Sequence, residues 1–301
     1  MRGMKQTRYA LLAAFAIALG LAGCNNPTST PTTTTAKTYV YAVDTYNGHV
    51  YQIDPATKIA ASSPIATIGQ NSSGEIRFGA GKAFVAVGSG GNNKPGLYYF
   101  DPSSSSPVAI RIGEAISAQY IYIASATRGY VTSADYTSTL LNALYGFNPS
   151  SPSSGLTKIA ELSYPQDIAA DSAGVIYVAE NYGKKVARLN SAGTALDIEI
   201  ATSAEGPTGL LAGTYEGKAG IFVADTGCSS SYVQGDGALD FIPSDATSST
   251  KASAVLPFAK TGIGRLAAFD ATSIVATNYG KTYIIDTASK SKTEIKSGTK
   301  A

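Results

Sequence analysis

The 301-residue sequence contains no tryptophan, one histidine (His49), two cysteines and two methionines, and only 15% of it is Asp, Glu, Lys or Arg. A single histidine rules out a multi-histidine metal site and makes any Ser-His-Asp triad depend on His49 alone. That residue follows Asn47-Gly48 in a turn-forming context, where a structural or neutral role is expected. Scarce charge together with 44% hydrophobic residues argues against a disordered or coiled-coil chain and for one that buries most of its length. Neither sign of charge dominates. Three of the 23 basic residues, Arg2, Lys5 and Arg8, fall in the first 23 positions, which hold no acid, leaving 20 basic residues against 21 acidic. This balance removes any bulk electrostatic case for nucleic-acid binding. No sustained 3.6-residue apolar period follows residue 24, so a helical domain is excluded.

Residues 1–24 combine a basic start, an apolar run from Ala10 to about Leu21, and Leu21-Ala22-Gly23-Cys24. This is the three-part pattern of a signal peptide. The apolar run is short of the roughly 20 residues a spanning helix needs, which disfavours the alternative of an uncleaved anchor. Leu-Ala-Gly-Cys resembles the lipobox of bacterial lipoproteins. That resemblance implies cleavage before Cys24, a diacylglyceryl group with palmitate-type chains on its sulfur, and an extracytoplasmic protein held to the bacterial membrane. Each buried methylene contributes ~0.8 kcal/mol, so several acyl chains make a durable anchor. Asn25, in place of an aspartate, points to the outer membrane if the cell is Gram-negative. Residues 24–37 then read as a lipidated cysteine and a Thr/Pro-rich tether, extended and solvated, able to reach on the order of 40 Å. With Cys24 carrying lipid, Cys228 has no disulfide partner. It reads as an incidental loop thiol, with intermolecular pairing as the alternative.

From residue 38 to 298 the sequence is one unit repeated six times: an apolar strand, a polar turn, a second strand with Tyr or Phe, then Asp or Asn followed by Pro, Thr or Ser. The equivalent positions Ala42, Val85, Val131, Val178, Val223 and Val275 are separated by 43, 46, 47, 45 and 52 residues. A period of about 46 is that of a four-stranded blade and too long for leucine-rich or ankyrin repeats. The expected fold is therefore all-β, a six-bladed β-propeller. Five units are preceded by a further short strand, expected at 75–80, 120–126, 167–172, 209–213 and 265–270, placed innermost. The first unit lacks this strand, and only an outer strand, expected at Thr293 to Lys296, follows the sixth. Ring closure therefore needs either a strand from the Thr-rich tether or a three-stranded first blade.

Pro165-Gln166-Asp167-Ile168-Ala169-Ala170-Asp171 leading into Ile176-Tyr177-Val178-Ala179-Glu180-Asn181 resembles an NHL repeat. Tyr130-Val131-Thr132-Ser133, with Ile53-Asp54-Pro55-Ala56-Thr57 and Ile285-Asp286-Thr287-Ala288-Ser289, is similar to YVTN-type repeats of secreted prokaryotic propellers. These resemblances imply blades rather than a chemistry.

In a propeller the starts of the innermost strands and the ends of the second strands meet around the channel mouth. Alignment of the units places Glu75, Tyr120, Asp167, Gly209 and Arg265 at the first position. It places Asp44, Val87, Ser133, Glu180, Asp225 and Thr277 at the second, with Asn181 and Asn278 one residue on. Asp44, Glu75, Tyr120, Asp167, Glu180, Asn181, Asp225 and Arg265 are the candidate ligand-binding residues, against the alternative that they are ordinary strand ends. Tyr46, Tyr182 and Tyr279, beside hairpin turns, offer flat faces for a sugar or peptide or simply cover a neighbouring blade.

Three function classes stand. The first is a monomeric, lipid-anchored envelope protein, without a cofactor, that binds a protein or glycan partner. The second is a hydrolase resembling calcium-dependent six-bladed lactonases, in which carboxylates and amides at the channel mouth hold a hard cation. No position here matches that family residue by residue. The third, a lyase or oxidoreductase propeller, would have His49 as its one histidine. Binding is the preferred reading.

Overall fold

The computed structural model describes residues 39–68, 72–89, 95–136, 142–231, 233–278 and 281–295. The signal peptide, Cys24, the tether, Tyr279 and Lys296 lie outside the described residues.

The described chain forms six antiparallel sheets in sequence order. Sheet 2 comprises β5 (Ser72–Gly79), β6 (Lys82–Val87), β7 (Gly96–Phe100) and β8 (Ile110–Ile112). Sheet 3 comprises β9 (Ala118–Ser125), β10 (Arg128–Ser133), β11 (Ala143–Phe147) and β12 (Thr157–Glu161). Sheet 4 is built from β13 (Pro165–Ala170), β14 (Ile176–Glu180), β15 (Lys185–Leu189) and β16 (Leu196–Ala201). Sheet 5 contains β17 (Pro207–Tyr215), β18 (Lys218–Asp225), β19 (Gly237–Pro243) and β20 (Ser253–Phe258). Sheet 6 contains β21 (Arg265–Ala268), β22 (Ser273–Asn278), β23 (Lys281–Asp286) and β24 (Ser291–Ile295). Each is a meander in which consecutive strands pair, the arrangement that short hairpin turns impose. β5, β9, β13 and β17 pack one against the next, with β21 against β17, and so form the inner wall.

The first sheet differs. It contains β1 (Val40–Asp44) and β2 (His49–Asp54), and both β3 (Ile59–Ala60) and β4 (Ala66–Thr67) pair with β2 as a broken outer strand. Among the described residues it therefore has three strand positions, with β1 lying against β5. The alternative, a strand supplied by the tether, falls outside the described residues.

Val, Ile, Phe and Tyr dominate the second and third strands because both faces of each sheet meet another sheet. β6, β14 and β18 show it: Ala83–Val87, Ile176–Glu180 and Gly220–Asp225 are buried at every position. Five apolar clusters fill the junctions from sheet 1 to sheet 6, such as Phe84, Phe147, Ile121 and Val131 between sheets 2 and 3, and Phe222, Phe241, Phe258 and Tyr283 between sheets 5 and 6.

Four inner strands begin earlier than the sequence suggests: β5 at Ser72, β9 at Ala118, β13 at Pro165 and β17 at Pro207. The cause is a register irregularity at the same place in each. Ser72 pairs with Val87 but Ile76 with Val85, and Pro165 with Glu180 but Ile168 with Val178. Matching shifts separate Ser133 from Val131 opposite β9 and Pro207 from Gly209 in β17. Extra residues inserted there break the apolar alternation that marks a strand start, and a bulge turns its side chains out of the sheet. β21 shows no such shift over Arg265–Ala268.

Candidate functional site: the channel mouth

The bulges hold three of the sequence-derived candidates, Glu75, Tyr120 and Asp167, and aim them at one place. The Asp167 carboxylate acts on the ionisation of Glu75, and Arg265, from a fourth inner strand, acts on both of them and on Tyr120. Arg265 lies over the Tyr120 ring, its guanidinium carbon 4.2 Å from the centroid, a cation–π contact. Arg77 joins the group from β5, its Nη2 2.5 Å from Glu75 Oε1. The sequence alignment did not single out Arg77, because it sits two residues beyond the aligned position.

The carboxylates hold neighbouring sheets together. Glu75 Oε2 accepts the Ile121 backbone N–H at 2.7 Å, and Arg77 Nε donates to the Ile121 carbonyl at 3.3 Å, so one acid–base pair clamps both polar groups of a single residue in the next sheet. Asp167 Oδ2 accepts the Leu210 N–H at 3.0 Å while its Oδ1 accepts the N–H of Ile168. Burial pushes Glu75 up to about 6 despite Arg77, and raises Asp167. It also pushes Tyr120 up to about 12.

At the second-strand ends the same logic recurs with different residues. Ser133 Oγ accepts the Ser117 N–H at 3.1 Å, and Glu180 Oε2 accepts the Ser163 N–H at 2.8 Å, each tying down the segment that enters an inner strand. Glu180 is 1% exposed, its Oε1 has no hydrogen-bond partner, and burial with the nearby Glu199 pushes it up to about 7. Asn181 Nδ2 reaches the Pro207 carbonyl at 3.5 Å. Asp44 caps its own hairpin, accepting the N–H groups of Tyr46 and Asn47 and the Asn47 amide, which lowers its pKa. Asp225 is fully buried beside Asp240.

Two surface features flank the mouth. Tyr136, after β10, Tyr164, before β13, and Tyr182, after β14, form a continuous stack with centroid separations of 4.7 and 4.5 Å. Tyr136 is 68% exposed, whereas Tyr164 is buried. Tyr164 has a φ of 54°, a backbone conformation uncommon for a bulky residue, and it is the ring that joins the other two. Tyr182 was legible beside its turn. Its stacking partners were not, since they come from two other segments. Tyr46 is 77% exposed and stands outside this stack.

The second feature is the long connection that leads from Thr226, after β18, to Gly237, where β19 begins. Gln234 Nε2 donates to the Thr226 and Gly235 carbonyls, and a groove of about 530 Å³ lies along the connection, lined by Ser203, Glu205, Asp236, Ala238 and Pro257 among others. Gly262 makes the close approach possible: a Cβ there would lie 2.0 Å from the Thr226 carbonyl oxygen. Cys228 is a free thiol in this connection, its Sγ 3.7 Å from the Ser229 carbonyl. His49 lies against Tyr51, with Nδ1 3.3 Å from the phenol oxygen.

No protein family matches the sequence, and no curated protein does. Solved structures match the fold. Virginiamycin B lyase from Staphylococcus aureus superposes with a TM-score of 0.60 at 13% identity, over 87% of this chain and 82% of the lyase. The chain is a six-bladed β-propeller. A functionally unknown protein from Desulfotomaculum acetoxidans is as similar to this propeller, with a TM-score of 0.60 at 11% identity over 86% and 78% of the two chains. The extracellular domain of a putative one-component system, BT4673, from B. thetaiotaomicron gives 0.57 at 12% identity, over 86% of this chain and 34% of that chain. At such identities the likeness concerns fold alone.

Proposed function

We propose that this propeller is a lipid-anchored, extracytoplasmic binding protein, monomeric, whose channel-mouth face takes a protein or glycan partner. The observation that carries this reading is the Tyr136–Tyr164–Tyr182 stack. Three rings from three chain segments pack on one another, Tyr164 buried between the other two in a costly backbone conformation, so that the largely exposed Tyr136 ring is held in place and offers an amphipathic face beside the mouth. Such a face suits the apolar side of a sugar ring or a peptide side chain. The carboxylates best placed for acid–base chemistry, Glu75 and Asp167, already accept main-chain N–H groups from neighbouring blades, which favours binding over catalysis.

Anchoring follows from Leu21-Ala22-Gly23-Cys24, and Asn25 favours the outer membrane in a Gram-negative cell. Two experiments test the two halves. Affinity capture from the native envelope with the wild-type chain and Tyr136→Ala should recover a partner that the variant retains at least tenfold less. Equal capture by both removes the tyrosine surface from the reading. Cys24→Ser should leave the membrane fraction, and normal fractionation of that variant would sink the lipoprotein assignment.

A further inference from the structure

Between blades 4 and 5, two aspartates lie in one strand pair, both fully buried. In the β18–β19 register Val223 faces Asp240 and Asp225 faces Ala238, so the two aspartates are diagonal neighbours on one face of the sheet. Asp240 is well supplied with donors: Ser203 gives it a backbone N–H and a hydroxyl, each at 2.5 Å. Asp225 is not. Neither of its carboxylate oxygens has a hydrogen-bond partner, and the groups acting on it are Asp240 and the Thr202 hydroxyl, with no cation among them. That hydroxyl lies 2.8 Å from the Ala204 carbonyl and 3.2 Å from that of Lys184, two acceptors that compete with Asp225 for its one proton.

A fully buried carboxylate without donor or counter-charge, beside a second carboxylate, is costly by several kcal/mol. A proton shared between the two acids relieves the repulsion but leaves the other Asp225 oxygen dependent on the Thr202 hydroxyl, whose proton the Ala204 and Lys184 carbonyls also accept. A metal ion engages both oxygens. The available donors are all hard oxygens: two from Asp225, one or more from Asp240, and Thr202 Oγ1. This is the chemistry of calcium rather than of softer metals. The groove of about 530 Å³ is lined by Ser203, which follows Thr202 and bonds Asp240, and by Ala238, which faces Asp225 across the strand pair, with the carboxylate of Asp236 at its side; the Glu205 carboxylate there is paired with Lys184.

We propose that Asp225 and Asp240, with the Thr202 hydroxyl, form a binding site for a hard divalent cation that enters from the groove and fixes the segment crossing from blade 4 to blade 5. This site lies between two blades and is independent of the tyrosine surface.

The test uses the full chain, stripped with chelator and then dialysed against millimolar calcium or magnesium. Native mass spectrometry should show one calcium per chain, and thermal melting should rise with calcium more than with magnesium. In Asp225→Asn the bound calcium should be lost and the calcium-dependent shift abolished, with the affinity reduced at least tenfold. Wild-type chain that retains no calcium overturns the proposal whatever the variants do, and so does calcium that stays bound in Asp225→Asn. If Asp225→Asn fails to fold, Asp240→Asn replaces it with the same expected loss. An Asp225→Asn chain more stable than wild type, with calcium shifting neither, identifies a shared proton instead.

Discussion

Replacing Glu180 with glutamine should stabilise this propeller most above neutral pH, less in mild acid, and not at all below about pH 4. Glu180 is 1% exposed, and its carboxyl is pushed from 4.5 up to about 7, chiefly by burial and further by Glu199, against the opposing influence of the Ser163 N–H and Lys185. An acid whose folded pKa lies above its unfolded one takes up a proton on folding. Below pH 4.5 the acid is protonated in both states and has no effect. Stability then falls as pH rises from 4.5 to about 7, and above 7 the loss is complete. A difference of two and a half pKa units corresponds to about 3 kcal/mol. Glutamine keeps an acceptor for the Ser163 N–H, and its NH₂ can donate to Glu199, so the variant loses the ionisation without losing the contact that holds the segment entering β13. Urea unfolding of both proteins at half-unit steps from pH 5 to 8 measures this. The variant should exceed wild type by about 0.8 kcal/mol at pH 5, where the unfolded carboxyl is already mostly ionised, and gain steadily to about 3 kcal/mol at pH 8. A gap independent of pH, or a variant less stable at pH 8, would refute the reasoning.

Other perturbations address other joints. Glu75→Ala removes the acceptor of the Ile121 N–H and the partner of Arg77, and should cost about 1.5–3 kcal/mol in chemical unfolding. A double-mutant cycle with Arg77→Ala should show coupling well above 0.5 kcal/mol, since both side chains grip Ile121, and additive losses would deny the clamp. Gly262→Ala places a Cβ against the Thr226 carbonyl and should lower the melting temperature, with an overpacking cost of about 1–3 kcal/mol. Tyr164→Ala should weaken partner capture as strongly as Tyr136→Ala, because it removes the ring that joins the other two.

The blade order and the count of six could be read in the sequence because a strand buried on both faces must be apolar at every position, and the six segments around Ala42, Val85, Val131, Val178, Val223 and Val275 all are strands of one kind. The starts of the inner strands could not, because the bulges at Glu75, Tyr120 and Asp167 insert residues that break the alternation. Convergence of Glu75, Asp167 and Arg265 followed from aligning the repeats, but their engagement with Ile121 and Leu210 did not, since main-chain N–H groups leave no mark on a sequence. Asp240 did leave one. An acid within Ala238-Leu239-Asp240-Phe241-Ile242, a run otherwise apolar, signals a buried charge that needs a partner, and the repeat alignment passed over it because it lies in a third strand rather than at a strand end. The tyrosine stack is a product of three segments and becomes visible only when the blades are assembled.

The carboxylate links between blades have a consequence for how such a ring can change. Glu75 reaches Ile121 and Asp167 reaches Leu210 at separations of 46 and 43 residues, each close to one repeat. What each acid grips is the amide of the following blade, a group present whatever side chain stands there. A blade can therefore accept a new neighbour after duplication, deletion or exchange without compensating change in its partner. The junction is general in chemistry and specific only in geometry, and the residues that face the channel are free to diverge while the ring remains joined.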